Sequence, residues 1–412
     1  MKILFITNLL PYPLDNGGKI KSYNTLEMLS EENDVDIFSF YESRKELDSL
    51  KYMKSKFNNV HIIEKPLTTS KNIKKMIFIA FRSLFNKLPF VLLKFKDNNM
   101  SQLLKKEISK NKYDLVYIDH LQLGVYWDIL KMCNCPIYLD EHNCESQILK
   151  RKIKSGENIL KNCFIRLEYK KLKNFEDKIV KKCDKVIVLS EEDKKCLMNG
   201  VDVNKNKFTV IPIPIQADFM KTIGSRINNK KTLNIMFLGT LTWFPNSQGI
   251  EWFVDKVIPK LEQTNSDYKL FIVGKDPSES LMNKCKQNNK IIVTGYVDDV
   301  NEYIEKCDIM IVPIFVGSGM RVKILEGLGK RIPIISTQIG AEGIDVENEK
   351  DILLAENEQE FINSIVKLTD NELYSSIQKS GRKLFDSKYS IEAVITNYKR
   401  LVLNDKELKK NE

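Results

Sequence analysis

Histidine is nearly absent from this chain, with three in 412 residues, and tryptophan is as rare. Long apolar runs are missing too. No stretch of about 18 uncharged apolar residues occurs, so no membrane-spanning helix is expected. The run Met1-Lys2-Ile3-Leu4-Phe5-Ile6 is too short for a secretion signal and reads as a buried first strand. None of the eight cysteines forms a CxxC pair, and Cys133-Asn134-Cys135 is too tight for a zinc knuckle. They read as reduced structural thiols of a cytosolic protein. No GxGxxG follows a strand, which removes a dinucleotide-dependent oxidoreductase, and no nucleic-acid recognition motif is present, so no nucleic-acid partner is expected.

What the chain does have is length for two domains, an apolar content of 42% that allows packed cores, and a formal net charge of +10. The charge favours anionic partners such as nucleotides, phosphates or lipid headgroups, and part of it is a general lysine and asparagine bias. Short apolar runs alternate with helical periods. The expected strands are Lys2–Thr7, Val35–Phe40, Val60–Ile63, Leu115–Ile118, Ile137–Asp140 and Lys185–Leu189, then Asn234–Leu238, Lys269–Val273, Ile291–Thr294, Ile309–Val312 and Ile332–Ser336. Between them lie stripes such as Ile250, Phe253, Val254, Val257, Ile258 and Leu261. Two such series predict two doubly wound α/β domains. The polar stretch after Ile215 is the expected linker, giving a first domain at 1–218 and a second at 219–375, with a helical tail at 376–412.

In doubly wound sheets, ligands lie beyond the carboxyl ends of the strands. The first such loop carries Asp15, Gly17 and Gly18 ahead of a helix, where backbone N–H groups can meet an anion or a sugar. Two of the three histidines also end strands, in Asp119-His120 and in Glu141-His142-Asn143-Cys144-Glu145. Histidine and carboxylate are adequate metal ligands, but this spacing is not diagnostic and no metal is expected. In the second half, Gly239-Thr240, Gly274 and Gly295-Tyr296-Val297 each follow a strand. The sharpest segment is Gly317-Ser318-Gly319-Met320-Arg321-Val322-Lys323-Ile324-Leu325-Glu326. Cations at a helix start oppose the macrodipole, so Arg321 and Lys323 make sense there if an anion is bound. With the N–H groups of Gly319 and Met320 they would hold a diphosphate, and Glu326, one turn on, would accept from ribose hydroxyls.

These residues resemble the GT-B glycosyltransferases of family 4, the glycosyl transferases group 1 type, over almost the whole chain. The similarity is carried by Gly239 to Asn246 and by Ser318-Gly319-Met320-Arg321-Val322-Lys323-Ile324-Leu325-Glu326, with support from the Pro13–Gly18 loop, Asp140-Glu141-His142-Asn143 and Val188-Leu189-Ser190. The resemblance implies two Rossmann-like domains facing across a cleft, with the last helix crossing back onto the first domain. The second domain would hold the nucleotide, with the base near Gly274 and Val297, phosphates at Arg321 and Lys323, and ribose at Glu326. The remaining donor contacts would come from Gly17, Gly18, Gly239, Thr240, Gly317, Ser318, Gly319 and Met320. The first domain would present the acceptor near Asp15, Glu141, His142 and Asn143, with His120 as a catalytic contact. Three departures stand out: Ser318 replaces the first of the family's two glutamates, Thr240 and Gly249 stand near its arginine and lysine, and Ile213-Pro214 replaces an Asn-Gly turn after the strand near Val210.

The implied reaction moves a sugar from a nucleotide diphosphate sugar to a glycan or lipid-linked acceptor, with retention, without metal or other cofactor, in bacterial surface polysaccharide assembly. A sugar-nucleotide epimerase and a non-catalytic nucleotide-sugar-binding subunit are the alternatives. The expected location is cytoplasmic. A basic stretch from Lys71 to Lys112 interleaves Met76, Ile77, Phe78, Ile79, Phe81, Leu84, Phe85 and Phe90. It fits either an anionic membrane surface on the inner face or a packed apolar face with solvated lysines on the other side.

Overall fold

The computed structural model describes residues 1–14, 16–42, 46–65, 73–154, 159–217, 232–264, 267–317 and 319–408. Two compact units divide after Pro214, one running Met1–Pro214 and the other Ile215–Glu412. The expected boundary at 218 lies close by, and the linker residues 218–231 fall outside the described residues.

The first unit is a seven-stranded parallel sheet of β1 (Lys2–Thr7), β2 (Asp34–Tyr41), β3 (Asn59–Glu64), β4 (Leu115–Asp119), β5 (Ile137–Glu141), β6 (Lys185–Val188) and β7 (Phe208–Val210), in the order β3-β2-β1-β4-β5-β6-β7. The second is a six-stranded parallel sheet of β8 (Leu233–Leu238), β9 (Tyr268–Val273), β10 (Ile291–Gly295), β11 (Ile309–Val312), β12 (Ile334–Ser336) and β13 (Leu353–Leu354), in the order β10-β9-β8-β11-β12-β13. Every expected strand forms. The short edge strands β7 and β13 were not in the expected set, because three and two residues make no readable apolar run.

In each sheet the strand order reverses beside the first strand, between β1 and β4 and between β8 and β11. Loops leaving these neighbours diverge to opposite faces and open a crevice at the strands' carboxyl ends. A recurring aspartate fixes the opposite ends. Asp114 accepts from Lys2 N at 2.8 Å, Asp184 from Ile137 N at 2.7 Å and Asp308 from Asn234 N at 2.9 Å. Each carboxylate satisfies the first or second amide of the neighbouring strand, so it sets register where the ladder begins.

The stripe from Ile250 to Leu261 is buried as expected, but its helix is not uniform. Phe244–Trp252 and Ile258–Gln263 are α-helical and Phe253–Val257 between them is a π-turn. Pro259 has no N–H to donate back into the preceding turn, which accounts for the widening there. The helical tail divides into Asn371–Lys388 and Ile391–Leu408. Ile215 is tied to it, donating its N–H to Tyr389 O at 3.1 Å.

One expectation fails. Cys144 and Cys196 form a disulfide, with Cα atoms 6.6 Å apart, while the other six cysteines are free. The pair is 52 residues apart in sequence. β5 and β6 are neighbours, so Cys144, in the turn after β5, and Cys196, in the helix Glu191–Met198 after β6, start from the same end of adjacent strands.

Candidate active site

In the first unit, Thr7 at the end of β1 lies in register with Asp119 at the end of β4. Asp119 is fully buried. It accepts from Thr7 Oγ1 and Ser22 Oγ at 2.6 Å each and from His142 Nε2 at 2.7 Å, and it meets His120 Nδ1 at 3.2 Å. Oδ2 meets the two hydroxyls and His120, and Oδ1 accepts from His142. The ligand atoms of Asp119, His120 and His142 lie close enough for a metal ion, within 4.8 Å of one another. They are already spent on one another and on the two hydroxyls.

The two imidazoles stack with ring centroids 3.6 Å apart, so they do not both carry charge at low cost. Burial opposes the charge on His120, but Asp119 outweighs it and raises the pKa. Burial and then the neighbouring His120 lower that of His142. Burial also disfavours the Asp119 anion, yet the two histidines hold its carboxyl well below the usual range. A positive charge on this pair is therefore favoured on His120 over His142. Its backbone has a φ of 84°, unusual for a residue with a side chain, and its N–H bonds Asp140 O at 3.0 Å. Nε2 of His120 lies 3.9 Å from where a Gly18 side chain would begin. The ring therefore faces the start of helix Gly17–Ser30, which Asn16 caps by accepting from Lys19 N.

Beneath the pair, Asp140 accepts from Lys21 Nζ and Tyr117 OH, each at 2.6 Å, and both ends of the Lys21–Asp140 ion pair are fully buried. Glu141 is 1% exposed. Burial and then the nearby Glu176 and Glu145 raise its pKa far above the carboxylate range, so it is a neutral acid. Its carboxyl, expected on the acceptor side, is packed into the interior at the end of β5. Glu176 is brought up to about 7 by burial, against the pull of Ser146, whose N–H it accepts at 3.1 Å. His142 is buried and Asn143 half-buried in the turn after β5. Asp15 lies outside the described residues.

In the second unit the strand-end loops pack backbone against backbone. A side chain on Gly274 would meet Gly239 O at 1.9 Å, and one on Gly249 would meet Pro313 O at 1.9 Å. Gly249, one of the departures from the family pattern, thus has no room for a lysine. The cations come from the other side of the crevice. Lys323 Nζ donates to Asn246 Oδ1 at 3.0 Å and lies 4.6 Å from the Phe237 ring centre. Asn246 is itself held by Thr240 O at 2.8 Å. A side chain on Gly239 would come within 2.7 Å of Lys323 Nζ, so the amino group lies directly over this glycine.

Arg321 is buried at the start of helix Val322–Gly329, 5.3 Å from the Trp243 ring centre and against Gly317. Gly317 and Gly319 have φ of 127° and 84°, which favours glycine at both. Met320 is buried, and Ser318 lies outside the described residues. Burial, then the Arg321 charge, push Lys323 down to about 7, with Glu326 opposing. Burial likewise raises Glu326, against Lys330 and Lys323. A diphosphate would reverse the penalty on Lys323. Gly239, Thr240, Gly317, Arg321 and Lys323 therefore converge on one crevice. Gly274 backs it, and Val297 stands half-buried beyond Gly295, whose carbonyl accepts from Gly274 N. Asn246 and Trp243 join this group without having been expected as site residues; the signal was the Pro-Asn pair of the same motif.

Residues 232–371 match the family model of the glycosyl transferases group 1. The chain is a glycosyltransferase, and the group 1 match lies in its second unit. It is similar to a 44.6 kDa protein of the cps region of Klebsiella pneumoniae, 26% identical over 94% of this chain and 98% of that one. It is also similar to the Escherichia coli UDP-Gal:alpha-D-GlcNAc-diphosphoundecaprenol alpha-1,3-galactosyltransferase, 24% identical over 75% of this chain and 80% of that one. Among solved structures, Anabaena HepE in complex with UDP and glucose superposes with a TM-score of 0.66 at 12% identity, covering 98% of this glycosyltransferase and 100% of HepE. The two parallel-sheet domains of this glycosyltransferase are those of the GT-B fold. Among the described residues, no helix is long and apolar enough to cross a membrane.

Proposed function

We propose that this glycosyltransferase moves a sugar from a nucleotide diphosphate sugar to a glycan or lipid-linked acceptor in the assembly of a bacterial surface polysaccharide, at the inner face of the membrane. The observation that carries the reading is the convergence of Arg321 and Lys323 on the glycine-lined crevice between β8 and β11. The leaving group is a nucleoside diphosphate, and stabilising its developing charge is the main electrostatic task. Two cations and the N–H groups at Gly319 and Met320 supply that without a metal. Glu326 takes the ribose hydroxyls. His120, carrying its charge toward the Gly17–Gly18 helix start, orients the sugar. The outcome is retention, with the departing phosphate taking the acceptor proton. The galactosyltransferase relative, whose name specifies a diphosphoundecaprenol-linked acceptor, supports the acceptor class.

Calorimetry with UDP, GDP and dTDP, with and without a chelator, tests this reading. One diphosphate binding equally in both, and weakened by Arg321→Ala and Glu326→Ala, is the expected result. A folded protein that binds none of them, or binds only with added divalent metal, would overturn the reading or its metal-free form.

A further inference from the structure

Helix Ile73–Leu84 turns its apolar side outward. Phe78 and Phe81 are each 60% exposed, Ile77 is 64% and Phe85, just past the helix, is 81%. Ser83, on the opposite side, is fully buried. The side of the helix that faces solvent is thus the one that a free-standing surface would make polar. A second exposed apolar segment opens helix Ile159–Lys182, where Ile159 is 79% and Leu160 82% exposed.

The two segments share one surface. Lys171 Nζ donates to Ser83 O, and Glu168 accepts from Phe90 N. Leu160, Leu167 and Lys171 lie seven and four residues apart, which puts them on one face of their helix. The stripe they form therefore runs away from the Ser83–Phe90 corner. Patches of this kind mark interaction sites.

The charge around the patch selects the partner. Residues 73–96 contain six lysines and arginines and no aspartate or glutamate. Arg82, Lys87, Lys161, Arg166 and Lys170 are all exposed, and Glu168, the one acid of residues 159–173, is buried. A second copy of this chain would bring like charge against like. An anionic bilayer meets both features: aromatic and aliphatic side chains enter the headgroup boundary while lysines and arginines meet lipid phosphates.

We propose that the outward face of helix Ile73–Leu84, with Phe85 and the exposed start of helix Ile159–Lys182, docks this glycosyltransferase on an anionic lipid surface. The surface deepens the functional reading, since a lipid-linked acceptor is met there, but it exists or fails independently of nucleotide binding.

The test is cosedimentation of the full chain with vesicles of phosphatidylcholine alone and with added phosphatidylglycerol. The expected result is binding to the anionic vesicles only, weakened by salt and lowered about tenfold or more by the triple change Phe78→Ser, Phe81→Ser and Phe85→Ser. The charge reversals Arg82→Glu and Lys87→Glu lower it by a similar factor. That pair leaves the apolar face intact and keeps the test valid if the triple variant misfolds. Nucleotide calorimetry on the same variants should be unchanged, which separates a failed docking surface from a failed transferase reading. Absence of binding to anionic vesicles by the folded protein would overturn the proposal. So would undiminished binding by the variants, or a dimer that the triple change dissociates without any vesicle binding.

Discussion

Lys323 and Asn246 are 77 residues apart, yet the lysine Nζ donates to the asparagine Oδ1 at 3.0 Å, directly over Gly239. The asparagine amide is fixed in turn by Thr240 O, so its carbonyl side faces the lysine. Asn246→Leu leaves the amine unheld, and diphosphate affinity should drop about tenfold, the loss of one hydrogen bond to a charged group. Asn246→Asp adds a negative charge beside the lysine and should weaken the diphosphate further. A calorimetric titration in which Asn246→Leu binds as tightly as the parent would show that the contact has no positioning role.

The depressed Lys323 gives binding a pH signature. The free amine is held at about 7, and a bound diphosphate pulls it back toward the ordinary lysine value. Binding should therefore take up a proton above pH 7. Affinity should be flat below that value and fall as pH rises through it, by up to about tenfold per unit. For stability the sign also follows. Between about 7 and its ordinary pKa this lysine binds fewer protons folded than unfolded, so its contribution to stability rises with pH across that window. Calorimetry in buffers of different ionisation heat measures the uptake, and Lys323→Met should abolish it.

Asp119 favours the charged form of His120. Asp119→Asn removes the anion while keeping the shape, so the His120 pKa falls. If the cationic ring is the working form, kcat/KM near neutral pH should drop by about 10- to 100-fold. Part of the loss should return at lower pH, where the ring protonates again. NMR titration of the three histidines, run beside the pH–rate profile, checks both. A rate loss that is the same at every pH would mean that Asp119 acts only in packing.

The Lys21–Asp140 pair is buried at both ends, 2.6 Å apart. Lys21→Met strands a buried carboxylate that still faces Tyr117. The expected cost is about 3–5 kcal/mol in urea unfolding. Changing both residues, Lys21→Met with Asp140→Asn, should cost less than Lys21→Met alone, because no charge is then left uncompensated.

Much of the fold was legible because it is written locally. The expected strands formed, and the apolar stripe from Ile250 to Leu261 is buried, because run length and period depend only on neighbours in sequence. The glycine, arginine and lysine string at 317–326 was readable for the same reason. Burial and pairing were not. Glu141 stood in the same short segment as His142, and only the packing of Glu145 and Glu176 around it makes it a neutral interior acid. Asn246 was visible as half of a Pro-Asn pair, but its partner is contributed by another helix.

The sequence by itself determined that there are two doubly wound domains and that a glycine-rich segment carrying Arg321 and Lys323 follows a strand in the second, since each follows from spacing and residue type along a few turns of chain. Only the tertiary structure decided that Thr7, Ser22, His120 and His142 all spend themselves on Asp119, that Cys144 meets Cys196, and that the aromatic face of helix Ile73–Leu84 looks outward. Periodicity gives a helix two faces. Which of them is covered depends on groups far away in the chain, brought near by strand order rather than by sequence distance.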